Sequence, residues 1–156
     1  MVKWLWLSTA VILLDQITKW TVSHWLEPYA TYPLLSWFKF TLVHNTGAAF
    51  SFLSGASGWQ RWFFMLLTIM VSVLIVFWLK RLTSGEHWTG AGLALILGGA
   101  IGNLIDRIAY GHVIDFIQWH YQRWYWPTFN IADSAITVGA AILVIHGLFF
   151  QRPAFK

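Results

Sequence analysis

Residues 62–79 read Trp62-Phe63-Phe64-Met65-Leu66-Leu67-Thr68-Ile69-Met70-Val71-Ser72-Val73-Leu74-Ile75-Val76-Phe77-Trp78-Leu79, a run without a charged residue. A bilayer core is crossed by about 20 apolar residues in helical form, and this run has the composition to cross it. Three further stretches have the same character. The first, about Trp4 to Val22, carries Asp15 and Lys19; another, about Trp88 to Ile105, is glycine-rich; the last runs from about Ala132 to Phe150. The 156 residues are 58% hydrophobic and only 10% charged, with a mean hydropathy of +0.59, whereas soluble domains carry roughly 25% charged residues. The expectation is an α-helical integral membrane protein with four transmembrane helices, forming a single membrane-embedded domain over residues 1–156.

Four crossings put both termini on one side. Lys80 and Arg81 lie in the short loop between the second and third runs, and Lys3, Arg152 and Lys156 lie near the termini. Lys39, Arg61 and Arg123 are spread over two longer loops. The positive-inside rule therefore places the termini in the cytoplasm and the long loops outside. The ten Lys and Arg are scattered, so the net charge of +4 is not a nucleic-acid footprint. The absence of cysteine excludes disulfides, thiolate nucleophiles and Cys-held metals. The start has the look of a signal peptide, but Asp15 and Lys19 interrupt its apolar run, which reads as an uncleaved first helix.

The first long loop contains Ser36-Trp37-Phe38-Lys39-Phe40-Thr41-Leu42-Val43-His44, and the second His112-Val113-Ile114-Asp115-Phe116-Ile117-Gln118-Trp119. Aromatic and β-branched residues dominate both, which favours strands. Alternation in the second would put Val113, Asp115 and Ile117 on one face. The following Trp119–Trp126 segment is unusually aromatic and is expected to lie on the membrane surface, most of the 12 tryptophans serving as interfacial anchors.

Only six acids are present, and four of them, Asp15, Asp106, Asp115 and Asp133, lie within or beside apolar stretches. A carboxylate near hydrocarbon costs several kcal/mol unless paired or hydrated, so each requires a reason. Asp15 and Lys19 share one helix face and form a mutually neutralising pair, structural or substrate-orienting. Asp106 sits near a helix C-terminus, where the dipole disfavours it, and needs a partner, Lys19 or Arg107. Gly98 and Gly102 have the small-xxx-small spacing that admits a neighbouring helix. Asn45-Thr46-Gly47 reads as a polar turn in which Asn45 could bond a peptide. Beyond Pro127, Asn130 is placed to cap the fourth helix and Asp133 falls in its first turn, where a negative charge is favoured.

Asp115, among Val113, Phe116 and Ile117, has the opposite kind of environment. Singly, Asp133 is an ordinary helix-start acid and Asp115 a partner for Arg107 or Arg123. Together, flanking one interfacial loop, they can share one proton and activate a water, Asp133 as base and Asp115 as holder of the proton. Other chemistries lack their signatures. The six histidines are dispersed without a His-Glu-x-x-His, and neither Gly-x-Ser-x-Gly nor a Walker loop occurs. His112 and Asp115 could in principle share a metal, but lone interfacial histidines are usually not ligands.

Five blocks in order carry a resemblance: Asp15-Gln16-Ile17-Thr18-Lys19, Asn45-Thr46-Gly47-Ala48-Ala49-Phe50, Gly102-Asn103-Leu104-Ile105-Asp106-Arg107, Val113-Ile114-Asp115-Phe116 and Phe129-Asn130-Ile131-Ala132-Asp133-Ser134. With them the chain resembles the bacterial lipoprotein signal peptidases, signal peptidase II, over almost its whole length. The resemblance implies a four-helix aspartic endopeptidase of the bacterial cytoplasmic (inner) membrane. It implies cytoplasmic termini, a site at the outer-leaflet interface, a small β-sheet cradle from the first long loop and an interfacial surface helix in the second. Asp115 and Asp133 match the family's catalytic dyad. Asn45, Gly47, Asn103, Arg107 and Asn130 match positions lining the substrate site, with Asp15, Lys19 and Asp106 as polar support. The implied substrate is a diacylglyceryl-modified prolipoprotein drawn from membrane lipid and cut just before its lipidated cysteine. The peptide antibiotic globomycin is the implied inhibitor, and no metal or organic cofactor is needed. Nothing in the sequence demands more than a monomer.

Two rival readings are a small transporter, with Asp15, Lys19, Asp106 and Arg107 as a polar pathway, and a structural lipid-anchoring protein. A pathway needs polar residues at both ends of the bundle, whereas here they gather toward one side. An anchoring protein leaves the buried carboxylates unexplained.

Overall fold

The computed structural model describes residues 2–47 and 58–150. Its four helices are α1 (Val2–Trp25), α2 (Trp59–Arg81), α3 (His87–Ala109) and α4 (Ile131–Phe149). The strands are β1 (Thr31–Leu35), β2 (Phe38–Asn45), β3 (Val113–Tyr121) and β4 (Trp124–Tyr125), antiparallel in the order β1-β2-β3-β4. Three helices, α2, α3 and α4, are long and apolar enough to cross a membrane. Although α1 is 24 residues long, it falls outside that set. It trades apolar residues for Asp15, Gln16, Lys19 and a series of hydroxyl side chains, whose value lies in what they bond.

The hub is α3, which packs against α1, α2 and α4. Its glycines permit the close approach. A Cβ on Gly98 would stand 2.7 Å from Val11 Cβ and 2.8 Å from the Ser8 carbonyl, and one on Gly102 would stand 2.6 Å from Asp15 Oδ2. The small-xxx-small pair is thus the seam between α1 and α3. Near the opposite end, Ile75, Leu79, Leu93 and Leu97 form the apolar core, with Trp4, Leu5 and Leu143 around it. Outward faces remain apolar: Leu66, Leu74 and Phe77 on α2 and Val144 and Leu148 on α4 are exposed. A soluble protein would hide such a surface, whereas lipid accepts it.

Both long loops build one sheet. The cradle expected from the first loop alone is completed by the second, since β2 pairs with β3 from Asn45↔Val113 to Phe38↔Trp119, with an irregularity between Phe40 and Val43. The expected surface helix in the second loop is replaced by a hairpin. Its two strands meet at Tyr121↔Trp124, and Gln122 takes a φ of 53° in the turn. Aromatic residues favour the pleat over a helix, and the segment can pair with its own return. The expected alternation in β3 also fails, because Val113, Ile114, Asp115 and Phe116 are all buried. The first half of β3 lies against α1 and α3, whereas its second half emerges, with Trp119 and Tyr121 exposed.

The chain then doubles back. Phe129 accepts from the backbone N–H groups of Phe116 (3.1 Å) and Ile117 (2.9 Å) and donates to the Ile117 carbonyl (3.0 Å). This short bridge lays the start of α4 alongside β3, with Asp115 and Asp133 at the junction.

Candidate active site

At the start of α4, Asn130 caps the helix as its sequence position suggests. Its Oδ1 accepts from the Asp133 N–H at 2.8 Å, while Asp133 Oδ2 accepts from the Asn130 N–H at 3.3 Å. The reciprocal cap is worth about 1 kcal/mol to a helix. Here it also fixes one carboxylate oxygen of Asp133. The other, Oδ1, accepts from Asn103 Nδ2 at 2.8 Å, across from α3.

Asp115 comes from β3 and is 1% exposed. Its Oδ1 accepts from Asn130 Nδ2 at 2.7 Å and its Oδ2 from Asn45 Nδ2, on β2, at 2.9 Å. One asparagine therefore bonds both carboxylates: Asn130 reaches Asp115 with its side chain and Asp133 with its backbone. Burial pushes the Asp115 carboxyl up to about 7, and the nearby Asp133 charge adds to the push, against the lowering effect of the two asparagine amides and Lys19. Among the described residues no cation contacts Asp115. Of the candidate partners, Arg123 is exposed on the hairpin, and Arg107 donates instead to the Gly47 carbonyl (2.8 Å) and the Asn103 carbonyl (3.3 Å). Arg107 also lies 5.5 Å over the Phe64 ring. Gly47 is held in place by its own N–H, which donates to Asn45 Oδ1 at 2.9 Å. Ala48, Ala49 and Phe50 of the same sequence block lie outside the described residues.

Beneath this pair lies the ion cluster. Lys19, 2% exposed, sits 2.9 Å from Asp15 and 2.7 Å from Asp106. Of the two partners considered for Asp106, Lys19 is therefore the one found. Each of these acids also bonds the backbone that carries a member of the upper pair. Asp15 accepts from the Ala132 N–H at 2.9 Å, at the positive end of α4, and Asp106 from the Ile114 N–H at 3.1 Å, beside Asp115.

Sequence reading gave no role to Gln16. Its Nε2 donates to Asp106 at 2.9 Å and to Asp15 and the Gly102 carbonyl at 3.2 Å each, closing the cluster from the other side. The only signal was its place between Asp15 and Lys19 in a polar block. His112, considered with Asp115 as a metal ligand, lies instead against His44, the ring centroids 4.1 Å apart and the planes tilted by 31°. Burial and that neighbour keep its pKa low.

An apolar cleft of about 360 Å³ opens beside Asp133, lined by Trp119, Trp126, Phe129, Ile136 and Val138 among others. The arrangement is two carboxylates, each held by neutral amides, with Asp133 at the edge of a greasy cleft, Asp115 buried behind it and a guanidinium close by.

Comparisons with known proteins bear on the fold and the family. The lipoprotein signal peptidase of Pseudomonas fluorescens is 56% identical over 144 residues, covering 91% of this chain and 85% of that one. That of Teredinibacter turnerae is 53% identical over 152 residues, covering 97% and 90%. A solved structure described as a bacterial membrane enzyme, obtained by the in meso method, superposes with a TM-score of 0.84 at 26% identity, covering 100% of this chain and 96% of that one. The family described as Signal peptidase (SPase) II matches residues 7–149, from within α1 to the end of α4, and the chain belongs to that family.

Proposed function

We propose that the chain is an aspartic endopeptidase that removes the signal peptide of diacylglyceryl-modified prolipoproteins, cutting just before the lipidated cysteine. The observation that carries this reading is the pair of hydrogen bonds that Asn130 donates, from Nδ2 to Asp115 and from its backbone N–H to Asp133. It holds the buried Asp115 and the half-buried Asp133 in one hydrogen-bonded group, with no cation in contact with Asp115 among the described residues, the arrangement in which a proton is shared. Asp133 takes a proton from water as the water attacks the scissile carbonyl, while Asp115, whose carboxyl is pushed up to about 7, protonates the carbonyl oxygen; as the C–N bond then breaks, Asp133 passes its proton to the leaving amine and a gem-diol hydroxyl returns one to Asp115. The tetrahedral gem-diol is stabilised by hydrogen bonds that strengthen as charge develops. Asn45, Gly47, Asn103, Arg107 and Asn130 surround the reacting groups.

The four helices span the bacterial inner membrane. Lys3 lies 3.3 Å from His87, so the start of α1 meets the loop after Lys80 and Arg81. These basic residues share one end of the bundle, which the positive-inside rule makes cytoplasmic. Asp115 and Asp133 lie at the other end, at the outer interface, where a lipidated substrate enters sideways from the leaflet. A polar pathway is disfavoured by the ion cluster itself: Lys19, Asp15, Asp106 and Gln16 bond one another and the backbone, which leaves them as a closed plug.

The test is cleavage by purified protein in detergent, with lipidated and unlipidated prolipoprotein side by side and the product mapped by mass. Cleavage of the lipidated form alone, at the bond before the cysteine, is the expected result. Equal cleavage of both forms, or none by well-folded protein, would overturn the reading. Globomycin is expected to inhibit the same reaction.

A further inference from the structure

We infer that Lys19 is a positioning residue for the reaction: it fixes which way round the Asn103 side-chain amide sits and, through that amide, orients Asp133. This inference rests on the dyad proposed above and names what orients one of its members.

The Lys19 ammonium has three N–H donors and no acceptor. All three are matched, to Asp15 Oδ2 at 2.9 Å, Asp106 Oδ2 at 2.7 Å and Asn103 Oδ1 at 2.9 Å. Charge neutralisation accounts for the first two. The third goes to a neutral amide, and its effect lies at the far end of that amide. An asparagine side chain turned by half a circle has nearly the same shape, so only its neighbours decide which end is which. Turned round, Asn103 would set its NH2 against the ammonium and against Asn130 Nδ2, which donates to the same oxygen at 3.1 Å. It would also set its carbonyl against the Asp133 carboxylate. As built, Nδ2 donates to Asp133 Oδ1 at 2.8 Å. A cation buried in α1 is thereby connected to a carboxylate on α4 through one side chain of α3. Asn103 is itself buried, and both of its polar ends are engaged within the protein. It is a positioning group for Asp133 before it is a contact for the substrate.

The test is a double-mutant cycle with Lys19→Met, Asn103→Ala and the double variant. kcat and KM are measured on the fraction that remains folded in detergent, with Asp133→Asn run alongside. Each single change is expected to lower kcat by roughly 30- to 100-fold with KM within about threefold, because the lost interaction acts on the reacting group. The double variant should be no worse than Asn103→Ala alone, since residues acting along one path do not multiply their effects. Multiplied losses in the double variant would overturn the inference, as would a rise in KM at constant kcat. Lys19→Met strands two acids and can fail to accumulate, so Asn103→Asp provides a second reading. It keeps an acceptor for Lys19 and replaces the donor that faces Asp133 with an oxygen. Loss of kcat with the melting temperature kept supports the relay, and near-normal kcat overturns it. Cleavage by Asp133→Asn would remove the dyad itself and the relay with it. An inactive Asp133→Asn beside multiplied losses would remove only the relay.

Discussion

The molecule contains two pairs of carboxylates set among its helices, and they are built in opposite ways. Asp15 and Asp106 have a lysine between them, within 2.9 and 2.7 Å. Asp115 and Asp133 have asparagines between and around them, Asn45, Asn103 and Asn130. A cation between two anions gives a stable knot that has no reason to exchange protons. Neutral amides satisfy hydrogen bonds but leave the charge uncompensated, so the cheapest relief is a shared proton. The lower pair fastens the bundle and the upper pair is left reactive. The lower pair also bonds the backbone at Ala132 and Ile114, next to the reactive acids, so its rigidity is passed upward.

Breaking the upper pair should have the largest effect. Asp115→Asn and Asp133→Asn are each expected to lower cleavage by at least about 1,000-fold, as losses of reacting groups do, with the protein still folded by melting and gel filtration. Breaking the lower pair should act on folding first. Lys19→Met leaves two buried acids without their cation, a change that costs about 3–5 kcal/mol where such pairs have been broken. A large fall in melting temperature is expected, beyond the kinetic effect on the folded remainder. Gly102→Ala sharpens the same contrast from the packing side. Its Cβ would press on Asp15 Oδ2 at 2.6 Å, and about 1–3 kcal/mol of stability should be lost with little change in kcat.

A smaller effect distinguishes the pairs by pH. Asp115 in the folded protein keeps its proton to about 7, well above an unfolded aspartate. The folded state therefore binds more protons than the unfolded state in that window, and its stability falls as pH rises through it. Asp115→Asn removes this dependence. The melting temperature of the variant relative to wild type should rise between about pH 5 and pH 8 and flatten below about pH 4. Thermal scans of both proteins across that range check it, and a difference independent of pH would count against a raised Asp115.

Much of this contrast was legible in the sequence. A chain with six acids that places four of them in apolar stretches announces that those four are held by something. The spacing of Asp15 and Lys19 gave their pairing, and Pro127 with Asn130 gave the start of α4, because both are local matters of helix geometry. What the sequence could not display depends on contacts between distant segments. The bridge from Phe129 to Ile117 that brings Asp133 beside Asp115 has no local signature. Nor does the pairing of β2 with β3, which turned one loop's cradle into a sheet shared by two. The aromatic run at Trp119–Trp126 was expected as a surface segment with a helix, and the strand pairing that makes it a hairpin has no signal in its composition. Gln16 escaped notice because an amide beside two ionic residues looks like padding until its three acceptors are in place.

The contrast between the pairs is tested most directly by infrared titration of the carboxyl groups in the detergent-solubilised protein, following the C=O stretch of protonated acids with pH. A band that disappears as pH rises through about 7, and that is missing in Asp115→Asn, is the expected result. A band in that range that survives Asp115→Asn, or no band titrating there at all, would contradict a proton held by the upper pair.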